Sequence, residues 1–117
     1  NSSFPRIYRL LGEIRVFQNN VKEGEEYFEK AYELDHNRFA YHQWFGEAMV
    51  LAGRDKEGAE ELRKSLYTTD ELLNYELRLA VIKRIIGVYG ALGDKEALAA
   101  FTKEAVHLYP FERTNTQ

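Results

Sequence analysis

The side chains in this chain that could move protons are three histidines, His36, His42 and His107, and nineteen carboxylates. Acid–base catalysis would need at least two of them gathered into one cluster. The histidines stand 6 and 65 residues apart with no shared helix face, so neither a proton relay nor a histidine-based metal site follows from their spacing. No Gly-rich phosphate loop, HExxH pair, calcium-loop pattern or nucleophile elbow occurs. Cysteine is absent, which excludes disulfides, thiolate zinc sites and Cys nucleophiles. The residues therefore point to a chain that is not an enzyme and uses no metal and no cofactor.

Composition narrows the partners. The chain has 117 residues, 44% of them hydrophobic and 30% charged, which fits one domain with its own core and leaves no room for a second. The net charge is -3, with acidic and basic residues interspersed, so no phosphate-tracking surface and no nucleic-acid partner is expected. No apolar run approaches the ~18 residues of a membrane span, and no signal-peptide pattern opens the sequence. The expectation is a soluble chain without direct membrane insertion, cytoplasmic and periplasmic locations standing equally open. Because it begins at Asn1, we expect a processed product or a fragment of a longer protein.

Whatever positions the side chains must come from an internal repeat. A shift of 34 residues superposes Gly12 on Gly46, Glu13 on Glu47, Val16 on Val50, Lys22 on Lys56, Glu23 on Glu57, Gly24 on Gly58, Glu26 on Glu60 and Lys30 on Lys64. A third copy needs a shift of 40 to bring Gly53 onto Gly93, then 39 to bring Asp55, Lys56 and Glu57 onto Asp94, Lys95 and Glu96. Apolar residues such as Val21, Gly24, Tyr27, Phe28, Ala31 and Leu34 recur at helical spacing, and each copy holds two such stretches. Helix breakers and caps at 18–20, 36–37, 53, 68–70 and 93 separate six predicted helices, near residues 5–18, 21–34, 38–52, 55–66, 70–92 and 95–108. The fifth should exceed its counterparts by about one and a half turns, at 3.6 residues per turn. Glu26 with Lys30 and Glu60 with Lys64 read as i,i+4 pairs on solvated faces.

This pattern resembles the tetratricopeptide repeat family, with its W-x2-L-G-x2-Y, A-x3-F and P signature over 34 residues. Copy one offers Tyr8, Leu11, Gly12, Gly24 and Phe28; copy two His42, Phe45, Gly46, Met49, Gly58 and Leu62; copy three Ile82, Ile85, Tyr89, Ala97, Phe101 and Pro110. Arg15 stands in place of the aromatic, His36 and Asp70 in place of the proline, and Ile86 in place of the second-copy glycine. The resemblance implies an all-α fold, a right-handed superhelix (α-solenoid) of three antiparallel helix pairs. Its repeats would cover about 5–38, 39–72 and 79–110, with an insertion at about 73–78, in one domain spanning 1–117. His42 would occupy the family's large core position and be packed and hydrogen-bonded there, and Tyr41 would belong to the core.

The same register sends Arg6, Arg9, Glu13 and Phe17, then Gln43, Trp44 and Glu47, then Lys83 and Arg84 into a concave groove lined by the first helix of each pair. The expected partner-binding set is Arg9, Glu13, Gln43, Trp44, Glu47, Lys83 and Arg84. Family members that grip the C-terminal carboxylate of chaperones use a basic, Asn, Asn, basic, basic clamp; here those positions read Arg9, Glu13, Trp44, Ala80 and Arg84, and Glu13 would repel a carboxylate. Trp44 reads either as a binding residue or as filling between first helices. The function implied is a protein–protein interaction module binding a peptide or extended segment. The alternative is a regulatory, assembly or dimerisation domain of a larger enzyme or membrane protein. The sixth helix is apolar on more than one face, so Leu98, Phe101 and Val106 are expected to form an exposed edge covered by a second copy, in a homodimer through the C-terminal helix, or by a missing domain.

Overall fold

A computed structural model describes residues 4–68 and 75–108. Within them the chain is all-helical, with six helices and no strand: α1 (Phe4–Phe17), α2 (Val21–Asp35), α3 (Arg38–Leu51), α4 (Asp55–Ser65), α5 (Tyr75–Leu92) and α6 (Lys95–Leu108). The predicted boundaries hold to about a residue except at the start of α5, whose expected caps at 69–70 and first residues lie outside the described parts, as do 73–74 of the insertion and the tail from 109. As described, α5 has 18 residues against 14 in α1 and in α3, and the rest of its expected extra length falls on residues outside the described parts.

Local chemistry accounts for where the helices begin and turn. The Asn20 side chain accepts from Glu23 N–H at 3.2 Å, Asn37 from Ala40 N–H at 3.0 Å and Asp94 from Ala97 N–H at 3.0 Å, each satisfying an amide that the first helical turn leaves free. The turn inside each pair takes a left-handed residue at the equivalent place: Asn19 at φ 64°, Gly53 at 87° and Gly93 at 71°. Asn and Gly are the residues that tolerate this conformation at least cost. These turns are tied along one edge, Arg54 donating to Asn19 at 2.8 Å and Lys56 pairing with Asp94 at 3.4 Å.

Short turns make sequence neighbours antiparallel, and the contacts agree. Tyr8, early in α1, stacks on Tyr27 at 6.2 Å while Arg15, late in α1, pairs with Glu23, four residues earlier in α2, at 3.0 Å. In the second pair Gly46 meets Gly58 and the earlier His42 meets the later Glu61. The helices touch at glycine because nothing larger fits. A Cβ on Gly46 would lie 2.8 Å from Leu62 Cγ and 2.9 Å from Gly58 O, and one on Gly58 would lie 2.5 Å from Val50 Cγ2. In the third copy Ile86 and Ala97 stand at the corresponding places, and α5 and α6 approach closely over a shorter stretch than the first two pairs do.

Two apolar clusters result instead of one centre. Val16, Phe28, Tyr41, Phe45, Ala48 and Met49 join α1, α2 and α3, while Phe39, Leu62, Leu66, Val81, Ile85 and Phe101 belong to a cluster spanning α3 to α6. Helix α3 contributes to both, which is why it buries Phe39, Ala40, Tyr41, Phe45, Gly46, Ala48 and Met49 and reads as apolar on several sides. Surface charges depart from the i,i+4 expectation: Lys30 lies over the Tyr8 and Tyr27 rings at 5.7 and 5.9 Å, and Lys64 pairs with Glu61 at 3.3 Å while Glu60 pairs with Arg63.

Candidate binding cleft

Of the residues assigned to the groove, Glu13, Gln43, Trp44 and Glu47 line one cleft of about 340 Å³ where α1 and α3 lie side by side. Gln43 and Glu47 are one turn apart on α3, and Glu13 is the counterpart of Glu47 one repeat earlier, so the repeat itself aims two carboxylates into one space. Trp44 is half-buried, its ring resting partly on the first apolar cluster.

The cations expected to face a ligand are engaged inside the chain. Arg84 clamps Glu47 bidentately, Nε to Oε2 at 2.9 Å and Nη2 to Oε1 at 2.7 Å, and this hydrogen bonding raises the guanidinium pKa. Arg9 donates to Asp35 at 2.9 Å and holds its guanidinium carbon 5.7 Å from the Trp44 ring centroid, within cation–π range. Asp35 is a site residue that the sequence reading omitted; it lies in the last turn of α2, and no spacing rule links it to Arg9. Lys83 is exposed on α5 and does not line the cleft, and Arg6 and Phe17 are exposed on α1 and do not line it either.

What remains is Glu13. It makes no ion pair or hydrogen bond among the described side chains, and its pKa is raised from 4.5, first by burial and then by the charge of Glu47. The cleft thus presents an uncompensated acid beside an indole and a carboxamide.

No family model, no characterised protein and no solved structure matches this chain. The cleft must be read on its own chemistry.

A second, larger hollow of about 500 Å³ lies across α2, α3 and α4 and contains Glu25, Glu57, Glu60, Glu61, Lys56 and Lys64. Its charges are already matched: Tyr41 donates to Glu25, Glu57 pairs with Arg54, Glu60 with Arg63, Glu61 with His42 and Lys64, and Lys56 with Asp94. Nothing in it is left seeking a partner.

His42 is held, as its position suggested: Nδ1 is 2.6 Å from Glu61 Oε2. Burial works to raise the Glu61 pKa, but the hydrogen bond and charge of His42, with Lys64, overcome it and leave the carboxyl below 4.5. His36 sits edge-on to Tyr32, 5.7 Å away, and His107 is exposed on α6. No group of three or more His, Asp or Glu able to hold a metal occurs among the described residues, and no described helix is long and apolar enough to cross a membrane.

The C-terminal edge needs correction. Phe101, expected on the exposed face, is only 3% exposed and packs in the second cluster beside Tyr89. Leu98 is half-buried, so that Val106, at 58% exposure, is the large apolar side chain that α6 shows to solvent. The inward turn of Phe101 has a plain cause: it is the third-copy counterpart of Phe28 and Leu62, both of which fill the space between paired helices.

Proposed function

We propose that this chain is a tetratricopeptide-type helical repeat, a right-handed stack of three antiparallel helix pairs. It works as a non-catalytic module that binds an extended segment of another protein in the cleft between α1 and α3. The observation that carries the reading is the unpartnered Glu13 carboxylate beside Trp44 in an open cleft whose other charges are internally matched. Such a site favours a cation with donors, a Lys or Arg side chain of the bound segment, whose charge meets Glu13 while its stem or guanidinium lies on the indole. A ligand led by a free carboxylate is disfavoured there, since Arg9 and Arg84 already serve Asp35 and Glu47. Gln43 supplies a neutral donor and acceptor for the backbone of the segment.

The sequence contains a single tryptophan, so fluorescence excited at the indole reports on this cleft alone. Peptides selected by the immobilised chain from a random library are expected to be enriched in Lys or Arg and to change Trp44 emission saturably. Selected peptides that are acidic, or that bind with no change in Trp44 emission, would place recognition elsewhere and defeat the proposal.

A further inference from the structure

Among the described residues, α1 carries five of the twelve exposed large hydrophobic side chains. Phe4, Ile7, Leu10, Ile14 and Phe17 are 41 to 54% exposed and follow one another at steps of three or four residues, a continuous stripe along one side of the helix. The buried side of α1, carrying Pro5, Gly12 and Val16, points the opposite way.

The repeat shows what this stripe is not. Helix α3 seats on the first pair through Tyr41, Phe45, Ala48 and Met49, and one repeat on, α5 presents Val81, Ile85 and Val88 to the second cluster, with Tyr89 packed against it. The same positions in α1 are Ile7, Leu11, Ile14 and Arg15. Arg15 is charged and paired with Glu23, so it breaks the seating face. The exposed stripe shares Ile7 and Ile14 with that face and adds Phe4, Leu10 and Phe17, its centre rotated by roughly 45° around the helix, at about 100° per residue. A further helix pair stacked by the rule that α3 and α5 follow would cover Ile7 and Ile14 but leave Leu10 and Phe17, whose counterparts on α3 are the half-buried Trp44 and the exposed Leu51.

The stripe has a symmetry of its own. Phe4 and Phe17, Ile7 and Ile14, and Leu10 and Leu11 are related by one centre, midway between residues 10 and 11. A two-fold interface requires that a residue meeting its counterpart be met in return by the same pair. An antiparallel α1–α1′ contact about that centre would set Phe4 on Phe17, Ile7 on Ile14 and Leu10 beside its own copy. Five half-exposed large side chains offer roughly 400 Å² of apolar area per copy, which with flanking atoms reaches the lower range of specific interfaces. Arg9 and Arg15 flank the helix with their charges met by Asp35 and Glu23, so neither brings an unpaired charge to the contact.

We propose that the occupant of this face is a second copy of the chain, joined through an antiparallel pair of α1 helices. The surface is separate from the cleft, and the proposal does not rest on the binding function. Sedimentation equilibrium should show a dimer that dissociates on dilution, lost at all loading concentrations in Ile14→Glu with the far-ultraviolet circular dichroism unchanged, and retained in Leu98→Glu. Since the chain has no cysteine, single substitutions test the geometry. Leu10→Cys, next to the axis, should cross-link on mild oxidation, whereas Phe4→Cys should not, its two copies lying about 20 Å apart along the helices. A strictly monomeric chain at high concentration overturns the proposal. So does a dimer broken by Leu98→Glu and not by Ile14→Glu, or equal cross-linking through Phe4→Cys.

Discussion

Two carboxylates on equivalent repeat positions behave differently because of their neighbours. Glu47 is matched by Arg84; Glu13 is not, and carries the raised pKa. A carboxyl whose folded pKa lies above its unfolded value keeps its proton longer in the native state. Its ionisation therefore lowers stability as pH rises from about 4.5 through the folded value. Glu13→Gln should accordingly melt no lower than the parent at pH 7, and slightly higher, while weakening a Lys- or Arg-bearing peptide about tenfold. A substitution that instead lowers melting and leaves affinity alone would recast Glu13 as structural. Glu61 has the opposite sign. Its folded pKa is depressed, so its contribution is present above the unfolded value and lost as pH falls through the folded one. Glu61→Ala, leaving His42 unpaired, should cost about 1–3 kcal/mol at pH 7, and its stability gap to the parent should close on acidification in chemical denaturation. The sequence made Glu13, Trp44 and the holding of His42 legible, because the repeat fixes which way each points. The pairing of Arg9 with Asp35 and of Arg84 with Glu47 was not legible, because the partners are 26 and 37 residues apart and no periodicity links them.

Helix pairing depends on whether the crossing point is bare. The Gly12–Gly24 and Gly46–Gly58 contacts bring backbones so close that a methyl group meets carbonyl oxygens at 2.9 Å or less, and backbone cannot give way as a flexible side chain can. Gly46→Ala gains up to about 1 kcal/mol of helix propensity but forces the pair apart, and we expect a net loss of about 1–3 kcal/mol. Gly87 is the control: a Cβ there meets nothing within 4 Å, so Gly87→Ala should stabilise by about 0.5–1 kcal/mol. Thermal melts of the two variants moving in the same direction would contradict the close-approach argument. The existence and limits of five of the helices were legible, since Asn20, Asn37, Asp94 and the left-handed turns leave marks in the chain. The looser third pair was foreshadowed by Ile86 at the glycine position, although sequence alone gave no measure of the separation.

Across the molecule, the Cα radius of gyration of 15.0 Å and the extents of 44 × 34 × 14 Å exceed the roughly 13 Å radius of a compact chain of this size. Two apolar clusters bridged by α3, in place of one central core, give this flat, extended shape and leave both long sides open. That openness is what the sequence could not apportion. An apolar stripe shows that a helix face wants cover, not which face the neighbouring helices will reach, so Phe101 was expected outside on α6 and packs inside, while Val106 stays exposed and a further exposed stripe lies on α1. The cleft was better specified, because equivalent positions on α1 and α3 must line up once the two helices lie side by side. In the proposed function Trp44 serves recognition more than support. Affinity and melting temperature of Trp44→Ala, measured together against a peptide selected by the parent chain, test this most directly. The account predicts a loss of at least about 2 kcal/mol, roughly 30-fold in affinity, with a much smaller loss of stability. A variant that unfolds while its remaining folded fraction binds as tightly as the parent would contradict it.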